Sequence, residues 1–592
     1  MQVFSEVLVY LIIVFILISL YWEIIGPAFT FIIAVVVLGF FKILTPSEIL
    51  SGFANEQIIV IIMLLLVGDI IRKTYVVEII FDRIFNKTNN YKGFLSRMTF
   101  LIGGFSAFLN NTPLVAVMMP YVHTWCKKNN ISPSKLLIPL SYATILGGCA
   151  TLIGTSTNLI VNGLVMEQNI APELKSLRMF DFTAVGLPML IIGFFYMYFF
   201  GNKLLPSKAD AITEFSANSR KYIVEAQIRH GSKFIGKSIE EAGLRNLNGL
   251  YLFEIRRNEI SITAVSHTEK LKEGDILLFT GETETIAELI SPNSGLTFPE
   301  VGMLHKKSHT EVVELVISHN STLINKSVKE ANFRGKYDAA IIAIHRNGEK
   351  ITGKIGSVKL RAGDAILLLT GADFIDRSND TLDFYFISKI RDIRKIEAYK
   401  VIIMLGGLVA AILLSALGLI SLFMALIILI ILLLFIKVAS PNDLYKSIDY
   451  NLAIIIALSL ALGTAMIKTG VADKISNLII TLFIPFGKYA VISGIYLITT
   501  VLAAFITNKA SVAILFPISL TTAVNLGLNP LPFALVVAFA SAANFMTPIG
   551  YQTNLMVYGP GNYSFKDFFK FGFPLTIIYM IVAVTILSIM YL

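Results

Sequence analysis

Charge is scarce in this sequence. Only 15% of its 592 residues are Asp, Glu, Lys or Arg, against 55% that are hydrophobic, and mean hydropathy is +0.73. A soluble chain of this size has no interior able to hide so much apolar surface, which places it among polytopic membrane proteins. Cysteine is nearly absent: Cys126, in a basic loop, and Cys149, in an apolar segment, cannot make a disulfide framework. Catalytic signatures are missing as well. No Ser/His/Asp, Cys/His or metal-spaced cluster occurs, and no Gly-rich phosphate loop precedes a strand, so neither an enzyme nor a dinucleotide site is expected. The net charge of +9 is modest for the length. It reads as positive-inside bias and not as a nucleic-acid surface.

What is present is organised in apolar runs. Stretches able to cross about 30 Å of hydrocarbon fall near 3–22, 25–43, 56–72, 133–165 and 180–201, and again near 398–416, 419–437, 450–468, 531–560 and 569–591. The first has no basic residue before it and no small-residue cleavage site, and is expected to be a retained span. Two more runs, 94–120 and 489–520, are interrupted by Asn-Asn-Thr-Pro and Thr-Asn-Lys-Ala-Ser. Polar backbone at membrane depth must be buried in protein or line a wet cavity. Both runs are therefore expected to be re-entrant hairpins.

The runs repeat in order. Residues 110–120 match 507–517, 154–163 match 550–559, and 181–188 match 567–574; Gly68…Lys73-Thr74 echoes Gly463…Lys468-Thr469. Five crossings per half, an odd number, turn the second repeat upside-down relative to the first. Lys and Arg concentrate at 72, 73, 83, 87, 92, 97, 127, 128 and 135, whereas the opposite loops carry few, such as Lys175 and Arg178. This predicts an inner (plasma) membrane protein with both termini outside.

Between the halves the composition becomes polar, placing a soluble insert in the cytoplasm. It too is duplicated. Ser232…Gly236-Lys237-Ser238-Ile239…Leu271-Lys272-Glu273-Gly274-Asp275 aligns with Ser321…Asn325-Lys326-Ser327-Val328…Leu360-Arg361-Ala362-Gly363-Asp364. Each unit reads as a short helix, alternating strands (Gly249–Ile255, Ala339–Ile344) and a Gly-Asp turn before an apolar strand. The expected division is 1–205 and 396–592 for the transmembrane halves, and 206–300 and 301–395 for two small α+β domains. Lys237, Arg256, Arg257, Lys326, His345 and Arg346 recur at matching positions and are expected on the solvated surface, where charges usually lie; binding of a regulatory anion or nucleotide at a domain–domain interface is the alternative.

Chemistry is expected at the polar breaks, because repeat-built transporters place substrate where broken helices expose backbone groups. Gly154-Thr155-Ser156-Thr157-Asn158 and Gly550 to Asn554 supply small residues, hydroxyls and amides. These suit an anion through neutral donors and Na⁺ through oxygen. A capped helix break, with hydroxyls bonding back to the helix, is the plainer alternative for either motif alone.

The paired hairpin-tip Asn motifs and paired Thr-Asn breaks resemble the divalent anion/sodium symporter family of the ion transporter superfamily. The insert resembles two copies of the TrkA-C regulatory subdomain of potassium-conductance regulators. The resemblance implies a homodimer in membrane lipid, elevator-type exchange of sulfate or C4–C6 carboxylates, and Na⁺ as coupling ion with no other cofactor. It implies substrate binding by Asn110, Asn111, Thr112, Thr155, Ser156, Thr157, Asn158, Thr507, Asn508, Lys509, Gln552, Thr553 and Asn554. Sodium would take Asn111, Gly154, Asn158, Asn508 and Gly550. Where the family carries Ser-Asn-Thr, the first tip has Asn110 in place of Ser. The second has Thr507 for Ser and Lys509 for Thr. Lys509 either reaches a rim cavity by snorkelling or stands in for a sodium or pairs with the anion. A Na⁺/H⁺ antiporter would need Asp69 as its core acid, and a gated channel or sensor is the third reading.

Overall fold

The computed structural model describes residues 2–592 except 23, 74–84, 86–87, 89, 209–222, 245–249, 258–259, 264, 267, 282–295, 298–310, 347–348, 352–354, 371–372, 380, 382, 388–396, 442–443, 445–447 and 449. Thr74, Arg83, Lys87 and Gly249 lie outside the described residues.

Among the described residues, six helices are long and apolar enough to cross a membrane: Val3–Tyr21, Pro46–Ile71, Thr183–Leu204, Tyr399–Ala416, Lys488–Phe505 and Phe565–Tyr591. Ala453–Lys468 and Val471–Phe486 form a seventh span only if taken together across a 75° bend, where Gly470 adopts φ +76°. Pro27–Phe40, Leu422–Phe435 and Pro530–Ala542 are apolar but shorter. The runs 133–165 and 531–560 are not continuous spans. Each divides, into Leu137–Gly148 and Ser156–Glu167, and into Pro530–Ala542 and Gln552–Tyr558.

Local chemistry sets these boundaries. Thr45 and Glu48 form a capping box at Pro46–Ser51, and Ser564 with Asp567 forms another at Phe565–Tyr591. The two polar interruptions are helix starts: the Asn110 side chain caps Asn111–Lys128 and the Thr507 side chain caps Asn508–Asn525. These are called the first and second tip helices below. Ser156–Glu167 and Gln552–Tyr558 are called the first and second break helices.

One contiguous apolar core runs through both halves, and the order of elements in the first half recurs in the second. At one end of the molecule, Lys135 Nζ donates to Leu205 O at 2.6 Å, Ser134 Oγ donates to Pro206 O at 2.8 Å, and Lys208 Nζ lies 2.8 Å from Asp567 Oδ2. Lys92 lies 4.7 Å from the Tyr198 ring centroid, near the end of Thr183–Leu204. Lys488 instead donates to Leu592 O, beyond the far end of Phe565–Tyr591. That helix has 27 residues, about 40 Å at 1.5 Å per residue.

The insert holds two five-stranded antiparallel sheets of one topology. In the first, β1 (Ile223–Ile228), β2 (Leu250–Arg257), β3 (Ile260–Thr263), β4 (Ile276–Gly281) and β5 (Leu296–Thr297) lie in the order β3-β2-β4-β1-β5. In the second, β6 (Glu311–Ile317), β7 (Ala339–Arg346), β8 (Glu349–Lys350), β9 (Ala365–Thr370) and β10 (Phe384–Phe386) lie in the order β10-β6-β9-β7-β8. Each sheet buries its own apolar cluster. Fully buried side chains such as Leu277 and Leu368 each contribute on the order of 2 kcal/mol.

Two of the basic residues expected on the surface are structural. Arg257 Nε and Nη2 each bond Asp275 at 2.8 Å, and Arg346 bonds Asp364 at 2.8 and 2.7 Å. Both carboxylates are buried. The arginine fork matches a carboxylate in two parallel bonds, which locks each Gly-Asp turn to its neighbouring strand. His345 is buried as well, and Arg256 pairs with Glu254.

Candidate functional site

Each break is an unwound segment stitched by an asparagine from the helix that follows it. Asn158 Nδ2 donates to Gly148 O at 3.4 Å and Thr151 O at 2.9 Å. Asn554 Nδ2 donates to Asn544 O at 2.9 Å and Thr547 O at 3.1 Å. An unpaired carbonyl away from water costs about 1–3 kcal/mol, so these amides permit the chain to unwind where it is buried. The flanking contacts recur too. Thr151 Oγ1 bonds Ala107 O and Thr547 Oγ1 bonds Ala504 O. Glycine is required at both breaks: a Cβ on Gly154 would lie 2.5 Å from Gly148 O, and one on Gly550 would lie 2.0 Å from Asn544 Nδ2.

The tips and breaks of opposite halves meet. Asn111 Nδ2 donates to Tyr551 Oη at 2.6 Å, and Thr112 Oγ1 donates to Gln552 Oε1 at 3.0 Å. Tyr551 Oη also lies 3.0 Å from Thr155 Oγ1. Ser106 Oγ donates to the Asn111 side-chain oxygen and lies 2.7 Å from Thr144 O. The structure thus brings Asn111, Thr112, Thr155 and Gln552 into one polar cluster, with Asn110 half-buried as the cap of the first tip. Ser156 is half-buried; Thr157 and Asn158 are buried in the first break helix. Thr553 and Asn554 are buried against Ser141, whose Oγ lies 2.8 Å from Thr553 Oγ1 and 2.7 Å from Asn554 Oδ1. Thr507, Asn508 and Lys509 are half-buried in the first turn of the second tip.

Ser106 and Ser141 were not among the residues expected from sequence, and Tyr551, inside the second break, was not given a binding role. Tyr551 could have been found by the repeat alignment, which sets it opposite Thr155. The serines have no such signal.

Electrostatically the cluster favours negative charge. The 18-residue first tip helix and the 12-residue first break helix begin at it, and helix starts carry partial positive charge. The Oδ1 atoms of Asn158, Asn508 and Asn544 are buried without a hydrogen-bond partner. Such oxygens suit a cation. Among the described residues no group of three or more His, Cys, Asp or Glu is placed to hold a metal ion.

The second insert sheet reaches this region. A Cβ on Gly363, whose φ is +83°, would lie 2.5 Å from Leu555 Cδ1, and one on Gly559 would lie 2.8 Å from Gly363 O. The Gly-Asp turn of the second unit therefore sits against the second break helix. The corresponding turn of the first unit is open: a Cβ on Gly274 would meet nothing within 4 Å.

Comparison with known proteins gives the family. The citrate transporter family (CitMHS) matches residues 12–498 and 425–592. A Chlamydomonas reinhardtii protein named "Putative sulfur deprivation response regulator" is 31% identical over 92% of this chain and 94% of its own. A Synechocystis protein named "Uncharacterized transporter sll0640" is 31% identical over 93% and 91%. "Sodium/sulfate cotransporter 1" of Chlamydomonas reinhardtii is 21% identical over 94% and 87%. With its series of apolar helices, the chain belongs to the citrate transporter family and is an integral membrane transporter, not an enzyme.

Proposed function

We propose that this protein is a secondary active transporter of small divalent anions, coupled to sodium, which carries its substrate by elevator-type alternating access. The observation that carries the reading is the junction of the first tip with the second break, Asn111 to Tyr551 and Thr112 to Gln552. A site assembled from both halves, lined by neutral donors and facing helix starts, binds an anion without a fixed carboxylate to repel it. The names of the sodium/sulfate cotransporter relatives favour sulfate and sodium.

The two halves, 1–205 and 396–592, are inverted repeats in this reading. Lys92 and the end of Thr183–Leu204 lie at the insert end, whereas their counterparts Lys488 and Leu592 lie a helix length away. Elevator movement is supported by unequal packing of the halves. A Cβ on Gly68 would lie 3.8 Å from Pro113, while one on its counterpart Gly463 would lie 4.0 Å from Pro517. Pro517 is two turns further along its tip helix, about 10 Å at 1.5 Å per residue. Exchange of these two packings would slide the tips and breaks past the helices that carry the glycines.

Sodium is assigned to the first tip and break, where Asn158 Oδ1 is open. In the second half Ser141 covers the equivalent oxygen of Asn554, and Lys509 follows Asn508 in the first turn of the second tip. Its ammonium takes the place of a second sodium. The insert, as two TrkA-C-like domains (206–300 and 301–395) in the cytoplasm, regulates a homodimer.

The test is uptake of radiolabelled sulfate and succinate into proteoliposomes, with and without a sodium gradient. Accumulation of either anion only with inward sodium supports the reading. Sodium efflux driven by a pH gradient and abolished by Asp69→Asn would identify a cation antiporter instead. Uptake that never exceeds equilibration would identify a channel.

A further inference from the structure

The repeat makes an unequal exchange at the candidate site. Where the first break has Thr155 and Ser156, the second has Tyr551 and Gln552. Both larger side chains cross to the other half: the Tyr551 phenol meets Asn111 and Thr155, and Gln552 accepts from Thr112. Tyr551 is buried, 7% exposed, and Thr155 is 3% exposed, so the ring occupies interior volume that a second threonine would leave open. Asn111 is held on both sides of its amide, by Ser106 at the oxygen and Tyr551 at the nitrogen.

We propose that Tyr551 determines substrate specificity by its bulk, restricting the site to a compact tetrahedral oxyanion and excluding longer di- and tricarboxylates. The inference rests on the transport reading above and adds the substrate class to it. The ring is buried, so its bulk holds its place by packing, while its hydroxyl bonds two partners. A tetrahedral dianion presents oxygens in all directions to the short hydroxyls and amides that remain. A C4 dicarboxylate is longer and has less interior volume to occupy with the ring in place than with a threonine there. Since Tyr551 Oη accepts from Asn111, its own proton is left for Thr155 or for an anion oxygen.

Competition against sulfate uptake by selenate, succinate and citrate, in wild type, Tyr551→Thr and Tyr551→Phe, tests the assignment. Wild type is expected to be inhibited by selenate and not by the carboxylates. Tyr551→Thr, the residue of the other repeat, is expected to improve succinate relative to selenate by about tenfold or more, within the range one pocket contact supplies. Tyr551→Phe keeps the ring and is expected to keep the selectivity while raising the KM for sulfate. If Tyr551→Thr fails to reach the membrane, Tyr551→Leu is read by the same ratio. Succinate inhibition equal to selenate in wild type overturns the assignment. So does an unchanged ratio in a Thr or Leu variant that still carries sulfate, or loss of selectivity in Tyr551→Phe. Wild type that accumulates neither sulfate nor succinate fails at the transport reading itself.

Discussion

Lys509 occupies the position at which the second tip departs from the first, where Thr112 stands. A lysine at membrane depth costs at least a few kcal/mol unless it is hydrated or paired, and Lys509 is half-buried in the first turn of the second tip. A permanent positive charge at one tip removes the need to carry an ion there. Lys509→Thr is therefore expected to make anion uptake steeper in sodium concentration. Lys509→Ala is expected to weaken anion affinity without that steepening. Uptake measured against sodium for the three proteins decides it; three superimposable curves with one anion affinity would place Lys509 at the rim. Asn111 is predicted to matter for a different reason. Its amide joins Ser106 of its own half to Tyr551 of the other, and Asn111→Ala is expected to abolish uptake in protein that remains monodisperse. Wild-type rates in that variant would remove Asn111 from the site.

At the scale of elements, the two insert sheets differ in what their Gly-Asp turns touch. The second turn is held by Arg346 to Asp364 and rests on the second break helix. The first is held in the same way by Arg257 to Asp275, but a Cβ on Gly274 would meet nothing within 4 Å. Removing one partner of a buried pair leaves an uncompensated charge, at a cost of about 3 kcal/mol or more. Arg346→Met is expected to raise hydrogen exchange in β9 and to change the transport rate. Arg257→Met is expected to raise exchange in β4 with transport unchanged. Equal effects of the two on transport would mean that contact with the break helix carries no regulation. The elements themselves were largely legible beforehand. The insert repeat, its apolar strands and the Gly-Asp turns stand in the chain as local patterns. The pairing of Arg257 and Arg346 with those turns did not, because it joins residues 18 apart across strands, and an arginine between polar neighbours looks like surface.

At the scale of the whole molecule, the insert is both joined to the membrane halves and packed on them. Val316 and Ile387 belong to the same apolar core as the membrane helices. Replacing 206–395 by a short linker is expected to leave a protein that inserts and transports at an altered rate, because the halves bury their own core. Failure to insert would make the insert a folding scaffold; an unaltered rate and response would leave it without a regulatory role. The sequence by itself determined that the chain is a membrane protein with internal repeats, that its polar tips and breaks come in pairs, and that a polar, internally repeated segment separates the apolar halves. These are properties of hydropathy and internal repetition, which need no neighbour in space. Only the tertiary structure decided which tip meets which break. Asn111 and Tyr551 are 440 residues apart, and Ser141 and Thr553 are 412 apart. No local pattern records a partner that folding brings from the other half, and for that reason Ser106, Ser141 and the contacts of Tyr551 emerged only when the halves were packed together.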